Sequence, residues 1–393
     1  MDKKSILIFG VGPLQKSIIE QCKSMGLFTV GIDPSSNASC KDIVNVFVVV
    51  GGQDFDKTLE IARKYKISGI ITAATDKPLV MMARIAEILH LPFYTVSTAR
   101  CSTDKFLMKE CFIKGKIPCA KGKLIRSPEE IEGFHFPLIL KPRDNSGSKG
   151  VIFCNNITEI NIAFKESVQF TKMDTILVEE YIEGQEYSIE SLHFDGKSHI
   201  LQYTEKITTP LPYNVELGHL QPANLTQSVK DEINVIISKI AESLGFENCA
   251  SHTELKVNER GIFVIETSPR LGGDYITSHL VPLSTGVNME NFLINVSLGQ
   301  KATYTSNNKA SLVHYFNFPL EKKVNQFITQ DEIQNLFPAV ALFYLNLKKG
   351  DIIKKITNSH NRYGEFILSG DNIKDLKITR DKITQYVESI IFT

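Results

Sequence analysis

Apolar and polar positions fall into two rhythms along the chain. Near the amino end Ile6–Phe9 is a short apolar run, and Leu14, Ile18, Ile19, Cys22 and Met25 follow at helical spacing, with Pro13 suited to the first helical position and Gly26 to the end. Thr29–Ile32, Val44–Val50 and Gly69–Thr72 repeat the strand-like run, and Phe55–Tyr65 and Pro78–His90 repeat the amphipathic helix. Strands alternating with helices predict a small parallel α/β unit over residues 1–98. Later the rhythm shifts to period two. Cys249–Val257 and Ile262–Thr267 alternate around the polar turn Asn258-Glu259-Arg260-Gly261, which predicts an antiparallel hairpin. Asp195-Gly196 marks another hairpin, between a strand ending at Phe194 and His199–Thr204, and Thr208–Gly218 reads as a loop. Thr226–Gly245 reads as a long helix with Ile233, Ile236, Ile237, Ile240 and Leu244 on its core face. Beyond Gly299 the pattern predicts strands at Ser311–Phe318, Ala339–Leu347 and Phe366–Ser369 and a last helix from about Arg380.

The late hairpin carries the densest chemistry. Side chains alternate faces along a strand, which groups His252, Glu254 and Lys256 on one strand and Glu266 and Ser268 on the other. In register, Glu254 and Glu266 point into the same space. Two carboxylates with no obvious cation between them are costly to bring together unless a divalent ion neutralises them. Pro269-Arg270-Leu271-Gly272-Gly273-Asp274 follows directly, adding a guanidinium and flexible backbone. Carboxylates for Mg²⁺, an Arg for phosphate and glycines for close approach suit phosphoryl transfer. The plainer alternative is two solvated charges on an outer face.

Other signals are weaker one by one. Ser102 is placed to cap a helix with Lys105 in its first turns, where a cation can meet an anion. A strand over Pro137–Pro142 contains Lys141, the loop Arg143-Asp144-Asn145-Ser146-Gly147-Ser148-Lys149-Gly150 follows, and Val151–Cys154 resumes a strand. Backbone amides of such a loop can wrap phosphate oxygens, although it is not a Walker A loop and also reads as an ordinary hairpin loop. Thr75 and Asp76 lie past the carboxyl end of a strand, where open α/β sheets place ligands; a capping turn before Pro78 explains them equally well. Gly10-Val11-Gly12 with Asp33 is half of a dinucleotide fingerprint, but Gln15 stands where the third glycine belongs.

Composition narrows the class. A length of 393 residues suggests two to three domains, and 42% hydrophobic and 22% charged residues are ordinary for a globular protein. The net charge of zero argues against a nucleic-acid partner. No apolar run approaches the roughly 20 residues that span a bilayer, which argues against a membrane partner. The first residues are too short an apolar stretch for a signal peptide. Seven scattered cysteines without a Cys-x-x-Cys read as buried side chains in a reducing cytoplasm.

Lys105, Lys141, the loop from Asp144 to Gly150, Glu179-Glu180-Tyr181-Ile182, Glu186, Glu254 and Glu266-Thr267-Ser268-Pro269-Arg270 occur in one order. Together they resemble the ATP-grasp superfamily of carboxylate–amine ligases, and Glu266 to Asp274 looks nearest to its L-amino-acid ligase and carbamoyl-phosphate-synthase-like branch. The tail, with Asn361-Arg362-Tyr363-Gly364, is similar to the carboxy-terminal domain of biotin carboxylase and its relatives. The resemblance implies a mixed α/β and α+β fold: a Rossmann-like unit over 1–98, an ATP-grasp domain over 99–299 with a flap subdomain at about 115–185, and a small β-rich domain over 300–393. It also implies roles. Lys105 and Lys141 would hold phosphates, and Ser146, Gly147 and Ser148 would lie in the flap over them. Glu179 would be among the nucleotide-binding residues, the backbone of Glu180, Tyr181 and Ile182 would read adenine, and Glu186 would accept the ribose hydroxyls. Glu254 and Glu266 would carry Mg²⁺ (or Mn²⁺), with Ser268 in place of the usual Asn. Arg270, with Lys141, would serve catalysis. The partners implied are ATP, a small carboxylate and an amine, in a monomer or homodimer. A non-catalytic ATP-binding sensor on the same fold is the alternative.

Overall fold

Four short apolar runs near the amino end pair side by side, because each is too apolar on both faces to be left at a surface. They are β1 (Ser5–Phe9), β2 (Phe28–Asp33), β3 (Val46–Val49) and β4 (Ile67–Ile71), all parallel and ordered β3-β2-β1-β4. The structure is a computed structural model and describes residues 3–145, 147, 149–211, 213–301 and 303–393. Helices Lys16–Ser24 and Phe55–Lys64 provide the crossovers from β1 to β2 and from β3 to β4, and helix Leu79–Leu89 follows β4. Pro13 opens the first helical turn and Gly26, at φ +76°, ends the segment, as their residue types require.

Helix Lys105–Lys114 begins two residues later than a Ser102 cap would place it. Ser102 is buried inside the preceding helix Val96–Thr103, and the cap is Asp104, whose Oδ1 accepts from the amides of Phe106 and Leu107 at 2.9 and 3.2 Å. Asp104 takes an extended backbone conformation, which breaks the helical run and makes Lys105 the first helical residue. A small antiparallel sheet follows: β5 (Gly122–Ile125), β6 (Leu138–Pro142), β7 (Ile152–Cys154) and β8 (Ile176–Glu180), ordered β5-β8-β6-β7. Helix Ile157–Ser167 covers it with Ile160 and Ala163.

The remaining strands form one large sheet among the described residues. They are β9 (Gln185–Phe194), β10 (Lys197–Thr208), β11 (Glu216–Gln221), β12 (Cys249–Asn258), β13 (Gly261–Ser268), β14 (Ala310–Tyr315), β15 (Val340–Leu345) and β16 (Gly364–Gly370). Their order is β13-β12-β9-β10-β11-β14-β16-β15. Helix Gln227–Leu244, capped by Thr226 and ended by Gly245 at φ +73°, lays Ile233, Ile236, Ile237 and Ile240 against Tyr187, Ile189 and Leu255. On β9 this leaves Glu186, Ser188 and Glu190, which alternate with Tyr187 and Ile189, to the other face. Two expectations need correcting. β11 begins inside the predicted loop Thr208–Gly218. The last helix is Ile373–Ile391, capped by Asn372, rather than starting near Arg380. Strands of the tail continue the central sheet through β11 and bury an apolar cluster around Phe316, Ile333 and Phe366. The parallel unit followed by antiparallel sheets is the mixed α/β and α+β fold that the resemblance implied.

Candidate active site

The hairpin β12–β13 pairs Asn258 with Gly261, Lys256 with Phe263, Leu255 with Val264 and then Glu254 with Glu266. Ile265 is skipped, a one-residue bulge. Counted straight from the turn, Glu254 would oppose Ile265, and Glu266 would face the other side of the sheet. The bulge turns Glu266 onto the face of Glu254, which makes the pair directly opposed.

The pair is not without cations, contrary to the expectation from sequence. Lys105 Nζ lies 2.9 Å from Glu266 Oε2, and Lys206 Nζ lies 3.1 Å from Glu254 Oε1. Lys206 is buried and also meets Glu186 Oε1 at 2.5 Å and Glu216 Oε1 at 3.7 Å. Burial alone would lower its pKa; the three carboxylates outweigh that and hold it well above the usual lysine value. His252 bridges Glu190 at 2.7 Å and Glu254 at 3.3 Å. Burial works against its charged form too, and the two carboxylates overcome it, pushing the imidazole up to about 10. Glu254 is held well below the ordinary carboxyl value, burial being outweighed by Lys206 and His252. Glu186, Glu216 and Glu254 share Lys206, so the face carries carboxylate in excess and has chemical room for a further cation.

Beyond the hairpin, Arg270 grips Asp76 with two hydrogen bonds, Nε to Oδ1 and Nη2 to Oδ2, each 2.8 Å. Ser268 donates to Asp76 Oδ1 at 2.6 Å. Burial would raise the Asp76 carboxyl; Arg270 and Ser268 prevail and bring it down to about 2. Asp76 thus reaches from the strand end of the amino-terminal sheet to the exit of the hairpin. On the far side Asp274 accepts both guanidinium arms of Arg362 at 2.9 and 3.0 Å, with His219 3.6 Å away.

At the other end of the site, Lys141 on β6 and Lys109 both meet the buried carboxylate of Glu179 on β8. Arg143 clasps Asp104 (Nη2 to Oδ2, 2.6 Å), and Lys105 Nζ donates to the Asn145 carbonyl at 3.0 Å, which fastens the start of the loop 143–150 to the helix bearing Lys105. Gly147 is at φ +69° with open space around it. Ser146 and Ser148, expected at this loop, lie outside the described residues. The amides of Glu180 and Tyr181 donate to Lys121 and Pro137 carbonyls. The Tyr181 ring meets Phe153 edge-on at 4.9 Å and lies under Lys256 Nζ at 4.7 Å, while Ile182 is buried.

Most residues singled out from the sequence therefore converge: Lys105, Glu254, Glu266, Ser268, Arg270 and Glu186 line one face, and Lys141, Glu179 and the 180–182 segment line its neighbour. Sequence reasoning missed Lys206, Glu190 and Lys109. Lys206 could not be found by counting. From the Asp195-Gly196 turn the register places Glu205 opposite Glu186, but a shift between Ile200 and Gln202 puts Glu205 against Tyr187 and brings Lys206 to the carboxylates. Among the described residues no cluster of three or more His, Cys, Asp or Glu side chains is poised to hold a metal, and no helix is long and apolar enough to cross a membrane.

Residues 134–278 match the ATP-grasp domain family. Alanine–anticapsin ligase of Bacillus subtilis (strain 168) is 27% identical over 253 residues, covering 58% of this chain and 53% of that protein. Formate-dependent phosphoribosylglycinamide formyltransferase of Saccharolobus solfataricus is 26% identical over 282 residues, 68% of this chain and 70% of that one. The chain spans little more than half the length of the anticapsin ligases it matches. In overall shape it is similar to an L-amino acid ligase from Bacillus licheniformis, with a TM-score of 0.81 at 18% identity over 100% of this chain and 99% of that one.

Proposed function

We propose that this chain, whose residues 134–278 match the ATP-grasp domain family, is an ATP-dependent ligase that joins a small carboxylate to an amine. The observation that carries the proposal is the opposed pair Glu254 and Glu266, set beside ammonium groups and running directly into Arg270. Carboxylates in excess of cations suit Mg²⁺, which binds through one or two carboxylates together with substrate phosphates. Glu254 and Glu266 would hold it, with Ser268, engaged by Asp76, reaching it only through water. When bound, the ion supplies charge neutralisation at the phosphates.

The chain's own residues account for the rest. Lys105 and Lys141 hold the phosphates, the 143–150 loop covers them, Tyr181 and Ile182 bound the adenine, and Glu186 meets the ribose. A carboxylate oxygen attacks the γ-phosphorus as the bond to ADP breaks, giving an acyl phosphate. The amine nitrogen then attacks the acyl carbon, phosphate leaves, and the amine gives up a proton. Arg270 stabilises the transferring phosphoryl and the substrate carboxylate, and must share its guanidinium with Asp76 to do so. Closure of the loop keeps water from the acyl phosphate. A cytoplasmic setting is supported by the seven free cysteines.

The test is phosphate release from ATP and Mg²⁺ by the purified protein with amino acids offered singly and in pairs. The expected result is release that needs both an acid and an amine and is accompanied by an amide product. ATP binding without phosphate release for any pair would favour the sensor reading instead.

A further inference from the structure

Lys109 lies one helical turn after Lys105 and is buried. Its ammonium sits 2.6 Å from Glu179 Oε1 and donates to the Ala120 carbonyl at 2.5 Å. The other oxygen of Glu179 is on Lys141. Gly122, directly opposite Glu179 on β5, makes room for the cluster: a Cβ there would come within 2.8 Å of Glu179 Cγ and 3.1 Å of Lys109 Cε. Burial would raise the Glu179 carboxyl, yet the two ammoniums hold it below its ordinary value. Among the described residues no second carboxylate pairs with either lysine. Two buried cations therefore share one anion, and one positive charge is left over. A buried charge without a counterion is costly, so this place in the fold calls for an anion.

We propose that Lys109 is a positioning residue that keeps Lys141 available to nucleotide phosphate by occupying half of Glu179. The inference rests on the ATP-binding reading of the same site. With Lys109 neutralised, Glu179 and Lys141 close into a balanced pair, and an incoming phosphate has to compete with a carboxylate already in place. With Lys109 present, Glu179 orients Lys141 without cancelling its charge. The distinction matters because a purely structural Lys109 would be replaceable by any group that bonds Ala120 and Glu179.

The experiment measures ADP and adenosine binding to the full chain by calorimetry, and the readout is the ratio of the two affinities. Lys109→Gln retains hydrogen bonding and loses the charge. Its ADP-to-adenosine ratio is expected to fall roughly 10-fold or more, the scale of a hydrogen bond to a charged group. Lys109→Gln combined with Glu179→Gln removes one charge of each sign and leaves Lys141 uncompensated again. That double variant is expected to recover the ratio to within a few-fold, and Lys109→Arg, which keeps the charge and changes the shape, is expected to hold it. A double variant as weak as Lys109→Gln, or an unchanged ratio in Lys109→Gln, would overturn the inference while leaving ATP binding intact. Absence of ADP binding by the unaltered chain would overturn the ATP reading and this inference together. Should Lys109→Gln not fold, the double variant and Lys109→Arg decide the matter by the same ratio.

Discussion

Two of the glycine-bearing turns that leave strand ends differ in what stands over their glycines among the described residues. After β1, Gly10 and Gly12 frame a turn whose space is taken by Gln15. Its Oε1 accepts from the Gly12 amide at 3.2 Å and its Nε2 donates to the Ala73 carbonyl at 2.6 Å. A Cβ on Gly10 would meet that side chain at 3.1 Å. Asp33, the would-be ribose acid, spends its oxygens on the amides of Val11 and Ser35. After β6, the 143–150 loop is pinned where it starts, by Arg143 on Asp104, and where it ends, by Ser167 donating to the Gly150 carbonyl at 2.7 Å, while Gly147 between them faces open space. Glycines permit a close approach; what stands above them decides whether a ligand or the protein itself makes it. In the first turn the protein fills the space, and in the second no described residue does.

The contrast can be broken at several points. The largest effect is expected at Glu254 and Glu266, the proposed metal pair, on the open side. Glu266→Gln keeps the shape and removes a charge, and ATP-dependent phosphate release should fall on the order of 100-fold or more. Gln15→Ala, in the closed turn, should leave turnover per folded molecule within about 2-fold, since no ligand is routed there. Comparable losses in both variants would erase the distinction between the turns. An intermediate effect is expected at Asp76, which rises from the same sheet as the closed turn and grips Arg270 of the open site. Its folded pKa of about 2 lies below the ordinary value near 4, so its ionised form stabilises the fold above about pH 4, and that contribution fades as pH drops through about 2. It amounts to about 2 kcal/mol. Denaturant titrations of wild type and Asp76→Asn should therefore differ most near neutrality and converge at low pH; a gap independent of pH would mean that the ion pair is not what Asp76 contributes. The smallest effect is expected in the open loop. Cleavage by trypsin at Arg143 or Lys149 should slow several-fold with an ATP analogue and Mg²⁺. Equal digestion rates with and without nucleotide would argue that the loop covers no phosphate.

The parts of this architecture readable from sequence are those set by local periodicity. The helix Gln227–Leu244 announces itself through Thr226, Gly245 and a clean apolar stripe, and the β12–β13 hairpin through its alternation and turn. What escaped depends on single-residue bulges and on partners far apart in the chain. Skipping Ile265 decides where Glu266 faces, and the shift near Leu201 decides that Lys206, not Glu205, joins the carboxylates. Neither bulge residue is a glycine, the usual local mark. Asp104 and Ser102 compete as caps with similar chemistry, and only the packing of the preceding helix selects between them. Asp76 with Arg270, and Asp274 with Arg362, are brought together by tertiary structure alone.

The continuity of the large sheet has a consequence for the order in which a growing chain can mature. A ribosome releases β9 to β13 before Ala310–Tyr315 exists, and until then the outer edge of β11 has bare amides and carbonyls. Such an edge is a template for strands of neighbouring chains. The guanidinium that meets Asp274 arrives later still, with Arg362. A nascent chain thus holds Lys105, Lys141 and the hairpin carboxylates well before it can finish the face beside them. Chains interrupted before β14 are accordingly expected to associate through that bare edge rather than to persist as smaller working versions of the whole.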